Sequence, residues 1–512
     1  MNKNHCFEKT DTYPKIEGKA FSVKTQRSKL SFLFPAGAGK RTKDTRAKAK
    51  PMFKASTYTE RRRILRQEIQ DGILLFPGNA ESPMNYPDNT YPFRQDSTFL
   101  YYTGLSHPEL ALLVDCNSGE EILFGDDYTI DMIVWMGPQP TMRERASWSG
   151  IAATRPAAAL SSCLEDAREK GRKIHFLPPY RGEVKVQLQE LLGIPAARQA
   201  EKASLPLIRA VIRQRSVKSE EEIAEIEKAI DVSVPMHQAA MRLLRPGIKE
   251  SEVVGEVVRT ALAAGGQPAF PVIATTRGQT LHNHYYGHTA QSGQLFLLDC
   301  GAETEMGYAG DLTSTFPVEA SFSPRQKEVY EILTGAYQKA VGLLRPGIKN
   351  REVHFGASLV IAQGMRHLGL LSGDPAEAVA AGAHALFFPH GIGHMLGLDV
   401  HDMENLGEQY VGYAEEPRSG QFGLKSLRLA KALEPGYVLT IEPGIYFIPE
   451  LIDRWKAEGR FRDFLNYERL ESYRDFGGMR NEENYLITET GARRLGKKKP
   501  LTVEEVEEMR SR

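Results

Sequence analysis

The chain has 512 residues, more than one hydrophobic core usually supports, so at least two domains are expected. Apolar residues make up 41% and charged residues 25%, and 65 Lys+Arg balance 65 Asp+Glu. Neutrality gives nucleic acid or an anionic membrane no handle, and no apolar run approaches the ~18 residues of a bilayer span, so neither partner is expected.

Residues 1–50 are rich in Lys and Arg but lack the apolar stretch of about 7–15 residues that a signal peptide needs. Glu8, Asp11 and Glu17 fit a transit peptide poorly, and the segment reads as a disordered basic extension. The four cysteines (Cys6, Cys116, Cys163 and Cys300) are far apart with no CxxC pair, which favours a reduced, cytoplasmic setting.

Residues 51–200 read as an α/β domain, with a helix over 59–69 and short buried strands over 72–76 and 110–114. A second domain is expected over 205–500. Ser219 and Glu222 form a capping box, and Ile223, Ile226 and Ile230 follow on one helical face. Within this domain Leu-Leu-Arg-Pro-Gly-Ile-Lys at 243–249 recurs at 343–349, each copy following one helical stretch and preceding another. A second pair, 293–299 and 436–442, leads from a Gly turn into a strand that ends in a carboxylate. Two pairs in the same order imply duplicated helix-helix-strand halves and a pseudo-twofold domain rather than a solenoid.

The carboxylates that close these strands are Asp299 and Glu442. Asp311 is expected on the second strand of a hairpin whose turn covers 301–307, and Glu482 just ahead of a strand over 485–487. Singly, each is an ordinary acid near a turn; a carboxylate ending an apolar strand is costly unless its charge is compensated. Between the halves, His390, His394 and His401 sit among glycines that let backbone approach closely. Four carboxylates with one imidazole form a hard, oxygen-rich set that suits Mn²⁺ or another first-row divalent ion (Co²⁺ and Zn²⁺ being alternatives), and five side chains suit two ions better than one.

These segments, with Leu281-His282, Pro389-His390-Gly391-Ile392-Gly393-His394 and Met479-Arg480-Asn481-Glu482, resemble in order the active-site motifs of the aminopeptidase P/prolidase family of pita-bread metallopeptidases. Residues 91–104 are similar to that family's N-terminal domain. The resemblance implies an N-terminal α/β domain followed by a pseudo-twofold catalytic domain with an antiparallel curved sheet. It implies Asp299, Asp311, His394, Glu442 and Glu482 as ligands of two metal ions, and hydrolysis of the Xaa-Pro bond at a peptide N-terminus by a metal-bridged hydroxide. Glu442 would shuttle the proton, His282, His390 and His401 would line the substrate site, and Arg480 would stand beside the last ligand. Asn481, where an apolar residue is usual, should point away by strand alternation. His284 and His288 read as loop residues. A dimer or tetramer is implied by the family alone.

Three readings stay open. Arg428, in a segment that looks like prolidase, would capture a dipeptide carboxylate and make the protein an Xaa-Pro dipeptidase, or it is a solvated residue on a basic helix. A non-catalytic binding protein on the same fold is the third.

Overall fold

A computed structural model describes residues 52–414 and 416–512. The basic extension expected over 1–50 lies outside the described residues. The first helix, Ala55–Ile69, is followed by a five-stranded mixed sheet in the order Ala153–Arg155, Glu121–Phe124, Ala111–Asp115, Ile73–Pro77, Ile174–His175. Two of the three inner strands, Ile73–Pro77 and Ala111–Asp115, were legible as apolar runs because both faces of this sheet are covered. Leu74, Phe76, Leu112 and Val114 enter the main core, while Ile73, Leu75, Ala111 and Leu113 pack against the helices Ala159–Glu169 and Gly182–Leu192.

The repeat appears as two helix pairs, Glu220–Leu243 with Glu250–Ala263 and Pro324–Leu343 with Asn350–His367. The Ser219 capping box is formed. Gly247 (φ +94°) and Gly347 (φ +82°) take the left-handed conformation that their turns demand, where a side chain would be strained. Each turn is pinned in the same way: Gly247 N–H donates to Ala290 O and Gly347 N–H to Leu433 O, both at 2.8 Å. Both acceptors lie shortly before the strands that carry the acids, so the repeated sequence aims Leu295–Cys300 and Val438–Ile441 alike.

Leu295–Cys300 lies between Leu312–Pro317 and Ile273–Thr275, while Glu483–Ile487 lies between Val438–Ile441 and Ala492–Arg494. A bridge between Thr313 and Glu482 joins the two sheets. Two local expectations change. The segment 301–307 is not a simple turn, because Ala302–Glu303 pairs with Gln267–Pro268, and Asp311 precedes its strand, which begins at Leu312. Arg428 follows a short 3₁₀ turn, Leu424–Ser426, rather than lying on a helix.

The N-terminal motif works as a clamp. Asp96 caps the helix Ser97–Thr103, while Arg94 bonds Glu303 (2.9 Å) and the Leu398 carbonyl (2.7 Å), and Ser97 donates to Asp399 (2.6 Å). Among the described residues no helix is long and apolar enough to cross a membrane.

Candidate metal centre

Strand register gathers the acids. Thr313 pairs with Asp299 on one side and Glu482 on the other, so one row across the joined sheets carries both carboxylates. Asn484 locks Asp311 beside them: its amide donates to the Asp311 carbonyl at 2.6 Å and accepts from the Asp311 N–H at 3.1 Å. The His-Gly-Ile-Gly-His segment runs along Val438–Ile441, with Thr440 N–H donating to His394 O and Glu442 N–H to Ile392 O. Gly393 permits this approach, since a Cβ there would lie 2.0 Å from the Thr440 carbonyl oxygen.

Asp299, Asp311, His394 and Glu482 are buried, and Glu442 is partly so. His394 Nδ1 lies 3.0 Å from the Met395 carbonyl, which can only accept, so the proton is on Nδ1 and the Nε2 lone pair is free. That lone pair faces Asp311 Oδ2 at 3.3 Å and Glu442 Oε1 at 3.8 Å. Electron-rich atoms facing one another in a buried site call for a cation between them. Ligand atoms of Asp311, His394 and Glu482 all lie within 4.8 Å of one another. Three buried oxygens (Asp299 Oδ1, Asp311 Oδ1 and Glu482 Oε1) have no hydrogen-bond partner. Burial and neighbouring carboxylates push Asp311, Glu442 and Glu482 well above the usual carboxylate range. The donor set therefore fits divalent cations, whose charge would remove that penalty.

Arg480 is buried and holds the site together. It pairs with Asp299 and donates to Thr313 Oγ1 and to the Tyr446 hydroxyl, both at 3.0 Å. Thr313 in turn donates to Glu482 at 2.7 Å. Asn481 is buried away from the cavity, within 3.4 Å of the Tyr330 hydroxyl, as alternation predicts.

The acids open into a cavity of about 520 Å³ whose lining includes His282, His284, His390, His401 and Arg428, with Phe270, Pro271, Ile273, Leu281 and Val400 as apolar wall. His288 is not part of that lining. His390 is fixed at both nitrogens: Nδ1–H donates to Gly391 O and Nε2 accepts from the Tyr446 hydroxyl, each at 2.8 Å. His401 donates from Nδ1 to Glu404 at 2.6 Å, leaving Nε2 for the cavity. Burial holds His390 down at about 3 and His401 at about 4. Glu404 is itself held down at about 2, by the His401 hydrogen bond first and then by the Arg428 charge. The sequence assigned no role to Tyr446 or Thr313, and Asn484 and Glu404 carried no signal of their own.

A pseudo-twofold pair of sheets presenting carboxylates and an imidazole to a substrate-sized cavity defines a metal-dependent hydrolase. The comparisons with known proteins specify which: residues 224–489 match metallopeptidase family M24, and residues 58–175 match the aminopeptidase P N-terminal domain. The chain belongs to the aminopeptidase P/prolidase group of metallopeptidase family M24 and has its pita-bread fold. It is 31% identical to the Xaa-Pro aminopeptidase of Escherichia coli, covering 86% of this chain and 93% of that protein. It is 30% identical to the Xaa-Pro dipeptidase of Homo sapiens, covering 86% and 89%. The solved structure of Pseudomonas aeruginosa aminopeptidase PepP superposes with a TM-score of 0.74 at 28% identity, covering 90% of this chain and 98% of that one.

Proposed function

We propose that this chain is a metal-dependent Xaa-Pro aminopeptidase that removes the first residue from peptides with proline in second position. The observation that carries the chemistry is the convergence of Asp311, His394 and Glu482 at the wall of a substrate-sized cavity. The bond specificity rests on similarity over 86% of the chain to an Xaa-Pro aminopeptidase.

Asp299, Asp311, His394, Glu442 and Glu482 would hold two divalent ions, Mn²⁺ by preference, which when bound polarise a carbonyl and lower the pKa of water. Glu442 reaches both the ligand histidine and His390 (3.8 Å each), which suits it to take a proton from the attacking water and return it to the leaving prolyl nitrogen. His401, whose Nδ1–H is held by Glu404, would present a neutral Nε2 to the cavity as an acceptor for a substrate N–H or the attacking water. The apolar wall suits the flat pyrrolidine ring, and His282 and His390 would confine the substrate backbone. Arg480 acts through the residues it positions.

A second reading, Xaa-Pro dipeptidase, is favoured by Arg428, a cation in the cavity lining able to meet a dipeptide's free carboxylate. Two domains over 51–200 and 205–500, a cytoplasmic location and a homo-oligomer complete the proposal. The helix Ile130–Met136 supports the oligomer, since Trp135 is 85% and Val134 74% exposed, an apolar surface that a second copy would cover.

The test compares Gly-Pro with a longer Xaa-Pro-Xaa peptide on metal-loaded protein. Cleavage of the longer peptide between its first residue and proline is expected; cleavage of the dipeptide alone would replace the aminopeptidase reading with the dipeptidase. Less than about one metal equivalent per chain, with peptidase activity surviving in Asp311→Ala, would remove the two-metal mechanism.

A further inference from the structure

Arg480 and Arg428 are the two guanidinium groups in the cavity lining, and they are not equally available. Arg480 is consumed by Asp299, Thr313 and Tyr446. Arg428 remains as the cation that a substrate's charged end would meet, with its side chain 35% exposed. It does not stand alone, because Glu404 reaches it with one carboxylate oxygen and accepts from His401 with the other, at 2.6 Å. Glu408, also nearby, is engaged by Arg418 at 3.1 Å.

One carboxylate thus ties a cavity histidine to the cavity's remaining arginine and cancels the arginine's charge. A Xaa-Pro dipeptide carries a carboxylate directly after proline, whereas a longer peptide carries a neutral amide there. Facing a bare Arg428, the dipeptide would gain a charge-assisted contact. Facing the Arg428–Glu404 pair, it meets no net charge and must compete with Glu404 for the guanidinium.

We propose that Glu404 is a specificity-determining residue that neutralises Arg428 and thereby biases the site toward peptides extending beyond proline. This rests on the Xaa-Pro reading above and states what the same site selects on the far side of the scissile bond.

The experiment compares Ala-Pro with Ala-Pro-amide, which differ only in that terminal charge, on full-length metal-loaded protein. Wild type is expected to favour the amide. Glu404→Gln keeps the shape but removes the charge, and should raise the Ala-Pro to Ala-Pro-amide ratio of kcat/KM by about tenfold, mainly through the dipeptide's KM, the scale of one hydrogen bond to a charged group. Arg428→Gln leaves Glu404 facing the substrate uncompensated and should lower that ratio below wild type. Bound metal and thermal midpoint are measured for each variant, and Arg428→Gln decides the matter if Glu404→Gln does not fold. An unchanged ratio in the folded variants, or a wild type that already prefers the dipeptide, overturns the proposal. Equal kcat losses on both compounds would mean that Glu404 serves His401 alone. If wild type cleaves no Xaa-Pro bond in these compounds or in longer peptides, the functional reading fails and takes this proposal with it. Activity with an unmoved ratio sinks only the role of Glu404.

Discussion

Thr313 stands between the two halves of the centre and answers to both. Its hydroxyl accepts from Arg480 and donates to Glu482, so the guanidinium that anchors Asp299 also sets the orientation of a carboxylate from the opposite half. Replacing it with valine keeps the volume and the strand but frees both partners. Thr313→Val should therefore weaken metal binding by about 10–100-fold, as removal of such supporting hydrogen bonds does, read by chelator competition independently of activity. Unchanged affinity would show that Glu482 is held by its strand alone. The five ligand candidates were readable from sequence because each acid closes or precedes an apolar strand within a repeated pattern. Thr313 was not: its meaning lies in Glu482, 169 positions away, and a threonine in a strand has an ordinary explanation. The same holds for Glu404, which is defined by two neighbours and by no motif.

The helix pairs were legible because a seven-residue repeat with an obligatory glycine leaves little freedom, and the matching backbone bonds to Ala290 and Leu433 show why. The turn at 301–307 was misread because a strand of two residues is too short to show a period, and its partner at Gln267–Pro268 lies outside any local window. What ties elements together was also hidden. Asp402 is buried with Arg215 (2.7 Å), at the end of the helix Leu205–Ser216, and with Lys218 (2.8 Å), just before the capping box. Arg215 continues to Thr98 in the N-terminal clamp at 2.9 Å. Asp402→Ala leaves buried Lys218 without its carboxylate and Arg215 with Asp399 alone, and should cost about 3–5 kcal/mol in denaturant unfolding. Burial alone would raise the Asp402 pKa, but Lys218 and Arg215 hold it below the ordinary value. A depressed folded pKa contributes stability above the unfolded value of about 3.9 and loses it as pH falls through the folded one. The difference between wild type and Asp402→Ala should therefore be full near neutrality and shrink only below about pH 4. A difference independent of pH would show that packing, not charge, is lost.

Across the whole molecule, the sequence resemblance reached the fold and the order of the site but not its surfaces. The helix Ile130–Met136 buries none of its residues although most of them are apolar. If the proposed homo-oligomer forms through this helix, Trp135→Glu should shift sedimentation toward the single chain with little change in folding; an unaltered profile would remove this helix as its contact. The central claim is that these acids exist to hold catalytic metal ions for Xaa-Pro cleavage, and product analysis by mass spectrometry tests it most directly. A long Xaa-Pro-Xaa peptide is incubated with the full chain as purified, after exhaustive chelation, and after Mn²⁺ is restored. The account predicts release of the first residue alone, its loss on chelation and its return with the metal. Release that persists in chelated protein free of bound metal, or cleavage at bonds not followed by proline, would contradict it.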